Sequence, residues 1–304
     1  MRTFTITLVD EGRTVEGMLR NAMPSVPRAL LRKLVADGAV TLNGAPSPDR
    51  RLCAGDVLGL RESARVLGLL AAGPCQMDIL YDDPDLLVLN KPAGLAVHPT
   101  QAKGAADLLS MAGALQSLLD HEGAYHVVNR LDRWTSGVVM MAPGVRRSAA
   151  FARLFETRQV DKRYVALVAG SPPDEGVLES PVDGHAARTT YTVLARGRGV
   201  AVLLVHPETG RRHQIRQHLA GVGHPLMGDQ RYGGPPMRSA GGALLHALSM
   251  TFDHPFSGRR MTIVAPLPAH LRLAMEVSSV GPWDFHSVLP PDCGPGLTLQ
   301  RTPV

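Results

Sequence analysis

Cysteine is scarce: Cys53, Cys75 and Cys293 are the only three, they lie far apart, and none forms a CxxC pair. A disulfide framework or zinc knuckle is therefore not expected, and the usage fits the reducing cytoplasm. Lysine is also rare. Only Lys33, Lys91, Lys103 and Lys162 stand among 32 basic residues, so the net charge of +5 rests on arginine. Arginine's planar donor fork suits phosphate, which makes nucleic acid a reasonable partner, although many solvated surfaces are equally basic. The opening MRTFTITLVDEG lacks the apolar core of a signal peptide, and the longest stretch free of Asp, Glu, Lys and Arg is the Gly-rich Ser239 to Phe252. No segment is expected to span a membrane, and a cytoplasmic location follows.

Several catalytic motifs are missing too. There is no Walker A loop, no GxGxxG after a strand and no GxSxG elbow. HEGAYH, from His121 to His126, imitates a zincin motif, but its histidines are five apart. On a helix they would point about 140° apart and could not share an ion as an i, i+4 pair does. His213 and His218 meet the same objection. No second carboxylate recurs near Asp132 in a matching motif, which counts against acid-pair hydrolysis. No metal and no cofactor is expected.

At 304 residues the chain exceeds the usual single-domain size. Residues 1–62 read as a small α/β unit. In it VPRALLRKLVADG sets Ala29, Leu30, Leu34 and Val35 on one side of a helix and spreads Arg28, Arg32 and Lys33 over the other, with Gly38 closing it. Asn43-Gly44, after the short strand Ala39–Leu42, signals a hairpin. Residues 63–77 turn to Leu, Ala and Gly and read as a linker. Residues 78–275 alternate short strand-like runs such as DLLVLNKP, GVVMMA, RYVALVAG and VAVLLVHP with the helical AADLLSMAGALQSLL and RRSAAFARLFET. The expectation is an α+β fold with a mainly antiparallel mixed sheet and loops that carry function. Residues 276–304, rich in Gly-Pro and Pro-Pro, read as a poorly ordered tail.

Three polar clusters remain. In HVVNRLDRWTSG, Asp132 sits between Arg130 and Arg133 after an apolar run. Flanking cations favour its ionised form and so attack on carbon, but on this cluster alone a salt-bridged turn acid is the commoner case. In DKRYVALVAG, Tyr164 stands at the mouth of an apolar strand; it is either packed or offers its ring to a base, an interaction worth about 1–3 kcal/mol. In HPETGRRHQIRQHLAGVGHP a turn runs into a helix with Ile215, Leu219 and Val222 on one stripe. Arg212 and Arg216, four apart, are expected to share the other face near the helix start, either as a solvated basic helix or with Arg216 reaching inward to a buried carboxylate.

Together these clusters resemble the RluA-type RNA pseudouridine synthases. The likeness runs from Asp78 to about Pro268 through LLVLNKPAGLAVHP, NRLDRWTSGVVMMA, KRYVALVAG, TGRRHQIRQHLAGVGHPLMGDQRYG and LLHALSMTFDHPFSGRRMTIVAP, in that order. VPRALLRKLVADGAVTLNGAPSPDRRLCAGDVL is similar to the alpha-L RNA-binding domain that often precedes this catalytic domain. The resemblance implies the pseudouridine synthase fold and an isomerase that turns uridine in RNA into pseudouridine without metal or cofactor. It places the catalytic aspartate on Asp132, the base-stacking tyrosine on Tyr164 and the arginine that pairs with the acid on Arg216. Arg130 matches the arginine that enters the RNA stack as the uridine flips out. Arg212, His213 and Gln214 fall in the same motif and are expected at the substrate, while Arg28, Arg32 and Lys33 would meet RNA backbone. One letter departs: Asn129 stands where the family usually has histidine.

The resemblance favours ribosomal RNA of the large subunit as partner, with transfer RNA as a further possibility, and nothing demands more than a monomer. A competing expectation is a factor of the same fold that binds RNA or assists ribosome assembly without using the chemistry.

Overall fold

The computed structural model describes residues 2–7, 10–22, 28–36, 38–46, 51–61, 78–99, 107–119, 122–237, 240–281 and 283. The stretch expected as a linker, 63–77, lies outside the described residues.

The N-terminal part forms four short strands, β1 (Arg2–Thr5), β2 (Val40–Leu42), β3 (Ala45–Pro46) and β4 (Val57–Leu60), and two helices, α1 (Val15–Ala22) and α2 (Arg28–Ala36). The strands pair antiparallel in the order β1-β4-β2-β3. Asn43 and Gly44, at φ 53° and 81°, make the two-residue turn between β2 and β3, where positive φ at both positions matches the strand twist. Gly38 follows α2 at φ 67° and donates to the Val35 carbonyl. The buried positions of α2 are Leu31 and Leu34. The side chains of Arg28, Ala29, Leu30 and Lys33 lie outside the described residues.

The larger part is one ten-stranded sheet. Its strands are β5 (Asp78–Asp82), β6 (Leu87–Lys91), β7 (Tyr125–Val127), β8 (Ser136–Pro143), β9 (Asp161–Ala169), β10 (Glu175–Leu178), β11 (Thr189–Gly197), β12 (Val200–Pro207), β13 (Leu245–Asp253) and β14 (Arg260–Val264). The order is β10-β11-β12-β9-β13-β8-β6-β5, with β14 on β13 and β7 on β8. Every pairing is antiparallel except that of β13 with β8, where His246 faces Ser136 and Ala247 faces Gly137. The helices are α3 (Leu108–Leu119), α4 (Val145–Glu156), α5 (Gln214–Gly221) and α6 (Ala269–Val277). This is the α+β, mainly antiparallel mixed sheet expected.

The central strands read as unbroken apolar runs because both faces are covered. Side chains alternate across a strand, so Val138, Met140 and Ala142 of β8 enter one core with Phe151 of α4, while Val139 and Met141 enter the opposite core. That opposite core also holds Leu31, Leu34, Leu58 and Leu60, so the N-terminal part rests on this face of the large sheet. On the other half of the sheet, Ala166 and Val168 of β9 join Leu219 of α5, whereas Val165 and Leu167 join Leu271 and Met275 of α6. Each such aliphatic side chain contributes about 1.5–3 kcal/mol on burial.

Of the tail expected over residues 276–304, residues 276–281 and 283 are described and the rest lie outside the described residues. Helix α6 continues to Val277, and Val280 and Trp283 still pack against the core beside it, because their apolar surface finds Leu271 and Met275 there. Among the described residues, no helix is long and apolar enough to cross a membrane.

Candidate active site

Asp132 lies in the connection from β7 to β8, where the amide of Thr135 donates to the Asp132 carbonyl at 3.1 Å and closes a turn over Arg133 and Trp134. Three devices hold this turn. Lys91, fully buried at the end of β6, donates from Nζ to the carbonyls of Pro92, Leu95 and Arg133 at 3.0, 2.8 and 3.0 Å. Burial pushes its ammonium down to about 7 against the opposing pull of Asp132. Arg133 Nε donates to the Gly94 carbonyl at 2.9 Å, so the Lys-Pro-Ala-Gly loop and the Asp132 turn are tied together. Asn129 is buried and accepts from the Met140 amide at 2.7 Å while donating to the Val138 carbonyl at 3.3 Å. The departure from histidine is thus filled by an amide that offers β8 both a donor and an acceptor.

Arg216 reaches Asp132 from the other half of the sheet. Its Nη1 donates to Asp132 Oδ2 at 3.0 Å, while Nε and Nη2 donate to Oδ2 and Oδ1 of Asp229 at 2.6 and 2.8 Å. Burial alone would lower the guanidinium's pKa, but the hydrogen bonds to Asp229 and Asp132 outweigh it and push it up. Arg216 is therefore permanently charged between two carboxylates, and its planar fork fixes the geometry of both. The guanidinium also lies 4.9 Å from the ring centroid of Tyr232.

Helix α5 begins only at Gln214, because His213 before it is held at φ 55° in the left-handed region. The expected sharing of one helical face by Arg212 and Arg216 is therefore corrected: Arg212 lies in the turn, exposed, and Arg216 points inward. His213 accompanies Arg216, with Nε2 3.6 Å from Asp132 Oδ1 and Nδ1 2.8 Å from the Tyr232 hydroxyl. Burial lowers its pKa, with Asp132 opposing. Gln214 is buried and its amide is used within the protein: Nε2 donates to the Arg188 carbonyl and Thr189 Oγ1, and Oε1 accepts from Thr209 Oγ1 and the Arg211 amide. It braces the turn instead of facing a substrate.

Tyr164 stands in β9 opposite Ala247, and Ala247 in turn stands opposite Gly137 of β8. One rung of the sheet thus sets Tyr164 and the Asp132 turn on the same centre. Burial and the Asp132 charge push the phenol's pKa up, so it stays neutral. Arg130 is exposed and has no side-chain partner among the described residues. Arg32, far from this centre in sequence, pairs with Glu16 of α1 at 2.8 Å; Arg28 and Lys33 lie outside the described side chains. His218 bonds Thr189 Oγ1 and the Ser180 carbonyl, apart from His213.

One group among the described residues brings ligand atoms close enough for an ion: Asp83, Asp85 and His254. His254 Nδ1 accepts from the amides of Phe256 and Ser257, so its proton sits on Nε2, which faces Asp83 Oδ2 at 3.4 Å. Nε2 has no lone pair to give a metal.

Reading residues alone missed Lys91, Asp229 and Tyr232. Their signal lay in the motif segments, in NKPAG and GDQRYG, as polar letters among apolar and glycine neighbours.

A family model described as RNA pseudouridylate synthase matches residues 85–221. An RNA pseudouridine synthase of Mycobacterium bovis, itself described as uncharacterised, is 36% identical over 275 residues, which cover 82% of this chain and 89% of that one. The chain belongs to the RNA pseudouridylate synthase family, in its RluA-type branch. The ribosomal large subunit pseudouridine synthase D of Neisseria meningitidis is 30% identical over 293 residues, covering 87% of this chain and 78% of its relative. The solved structure of human RNA pseudouridylate synthase domain containing 4 matches with a TM-score of 0.58 at 25% identity, covering 72% of this chain and 98% of the human one. As a member of this family the chain is an isomerase that converts uridine in RNA to pseudouridine.

Proposed function

We propose that this synthase modifies uridine in structured RNA of the large ribosomal subunit, with Asp132 acting at the sugar. The reading is supported by several relatives named as ribosomal large subunit pseudouridine synthase D. The observation that carries the site is the 3.0 Å bond from Arg216 to Asp132, made between residues 84 positions apart.

The reaction moves one glycosidic bond and one proton. The N1 to C1′ bond breaks, the uracil turns, C5 bonds to C1′, and the proton lost from C5 is balanced by the one gained at N1. Asp132 serves as nucleophile at C1′ or as base at the neighbouring sugar carbon. Arg216 holds the carboxylate ionised and aimed, in a site where excluded water strengthens the pair. The base must first leave its stack at a cost of about a few kcal/mol, offset by Arg130 entering the gap and by the Tyr164 ring against the uracil. Exposed Arg212 is suited to phosphate, and His213 to the edge of the bound nucleoside. Residues 1–62 serve as an alpha-L-type RNA-binding unit in this reading, with Arg28, Arg32 and Lys33 as its candidate contacts to RNA backbone.

The test is incubation of wild type and Asp132→Ala with ribosomal and transfer RNA, followed by pseudouridine mapping. An Asp132-dependent product on large-subunit RNA is expected. No such product on any cellular RNA sinks the proposal, and full rescue of a deletion strain by Asp132→Ala would make RNA binding the function instead.

A further inference from the structure

The turn that carries Asp132 also carries Trp134, one of only two tryptophans in the chain. The other, Trp283, packs against the core. Trp134 instead sits at the rim and is 38% exposed. Its ring rests on glycine. A Cβ on Gly94 would stand 3.1 Å from the indole, and one on Gly241 or Gly242 would overlap the ring outright. Three glycines in two backbone segments, the Lys-Pro-Ala-Gly loop and the stretch before β13, thus leave room to seat one aromatic plane. The indole N–H has no partner among the described residues.

The Arg133 guanidinium lies 5.8 Å from the ring centroid, and Arg130, also exposed, stands two residues before Asp132 in the same connection. An aromatic plane amid arginines is the arrangement by which proteins hold unstacked nucleobases, with the charges tracking phosphate. A ring serving only to cover backbone would gain most by full burial. Trp134 instead remains partly exposed, two residues along the chain from Asp132.

We propose that the exposed surface of the Trp134 indole is a stacking platform for an RNA base neighbouring the uridine drawn to Asp132. This rests on the reading of the site given above. The platform selects the conformation of the single strand around the target and takes no part in bond making.

The test uses the full chain with Trp283→Phe, so that Trp134 is the only tryptophan and is excited selectively over the tyrosines, and protein-free large-subunit ribosomal RNA as the probe. Filter retention measures binding independently. A stacked base is expected to quench Trp134 emission by more than about half at saturation, whereas inorganic polyphosphate leaves it unchanged. RNA retained with emission unchanged overturns the platform while leaving the enzyme reading intact; no retention overturns both. Should Trp283→Phe fail to fold, the difference between wild type and Trp134→Phe spectra supplies the same readout. In turnover, Trp134→Ala is expected to raise KM about tenfold with kcat little changed, and Trp134→Phe to restore it. Loss of kcat at constant KM overturns the proposal.

Discussion

Arg216 and Asp229 are joined by two hydrogen bonds, at 2.6 and 2.8 Å, both shorter than the 3.0 Å bond from Arg216 to Asp132. The buried Asp229 is therefore the fixed anchor, and the guanidinium is presented from it to the carboxylate that reacts. Asp229→Ala is expected to let the guanidinium swing. A displacement of about 1 Å at a reacting centre costs roughly a hundredfold in rate, so single-turnover rates should fall about ten- to a hundredfold with RNA affinity little changed. Unaltered rates would show that Asp132 needs no such support.

Asn129 offers a test of the loop. Asn129→Ala strands the buried Met140 amide, which costs about 1–3 kcal/mol, and should lower the urea midpoint accordingly. Asn129→Asp keeps the acceptor but sets a charge against the Val138 carbonyl, so it should be the worse of the two at neutral pH. The reverse ranking would mean that the acceptor kept for the Met140 amide outweighs the charge set against the Val138 carbonyl.

Lys91 predicts a pH dependence. Its pKa falls from 10.5 in the unfolded chain to about 7 in the folded protein. Between those values the unfolded chain binds the extra proton, so stability rises with pH, by up to about 1.4 kcal/mol per pH unit from this group, and is flat below the folded value. Lys91→Met removes both the titration and the donors to three carbonyls. It should be less stable at every pH and should lack this slope, as urea unfolding from about pH 6 to about pH 10 would measure. Parallel curves for the two proteins would refute the assignment.

Gly137 is a point of close approach. It sits at φ 109°, and a Cβ would overlap the Ala247 carbonyl across the parallel β8 to β13 junction. Gly137→Ala combines backbone strain with a clash against main chain, which has nowhere to yield. A loss of about 3 kcal/mol or more is expected, seen as a lower thermal midpoint or loss of soluble protein. A midpoint within a degree or two of wild type would contradict the geometry.

What could be read in advance followed a physical division. Strand runs such as GVVMMA announce themselves because burial on two faces demands continuous apolar letters. The meaning of Asp132 did not follow from its neighbours, since one acid between arginines is an ordinary surface turn. Only the ordered motifs shared with the RluA-type enzymes linked it to Arg216, whose partner lies 84 residues away. Asn129, Gln214 and Lys91 were opaque for a different reason. A polar side chain spent on backbone bonds looks, as a letter, like one held ready for substrate. The helix start at Gln214 was hidden likewise, because the left-handed turn at His213 has no residue signal of its own.

Strand β13 sits between β8 and β9 in the sheet but follows both in the chain. A nascent chain that has emerged as far as Arg216 already contains Asp132 and Tyr164, yet lacks the strand whose backbone pairs with both the half that holds the acid and the half that holds the tyrosine. The sheet beneath the catalytic centre is therefore complete only once the chain has been made as far as Asp253, late in its synthesis.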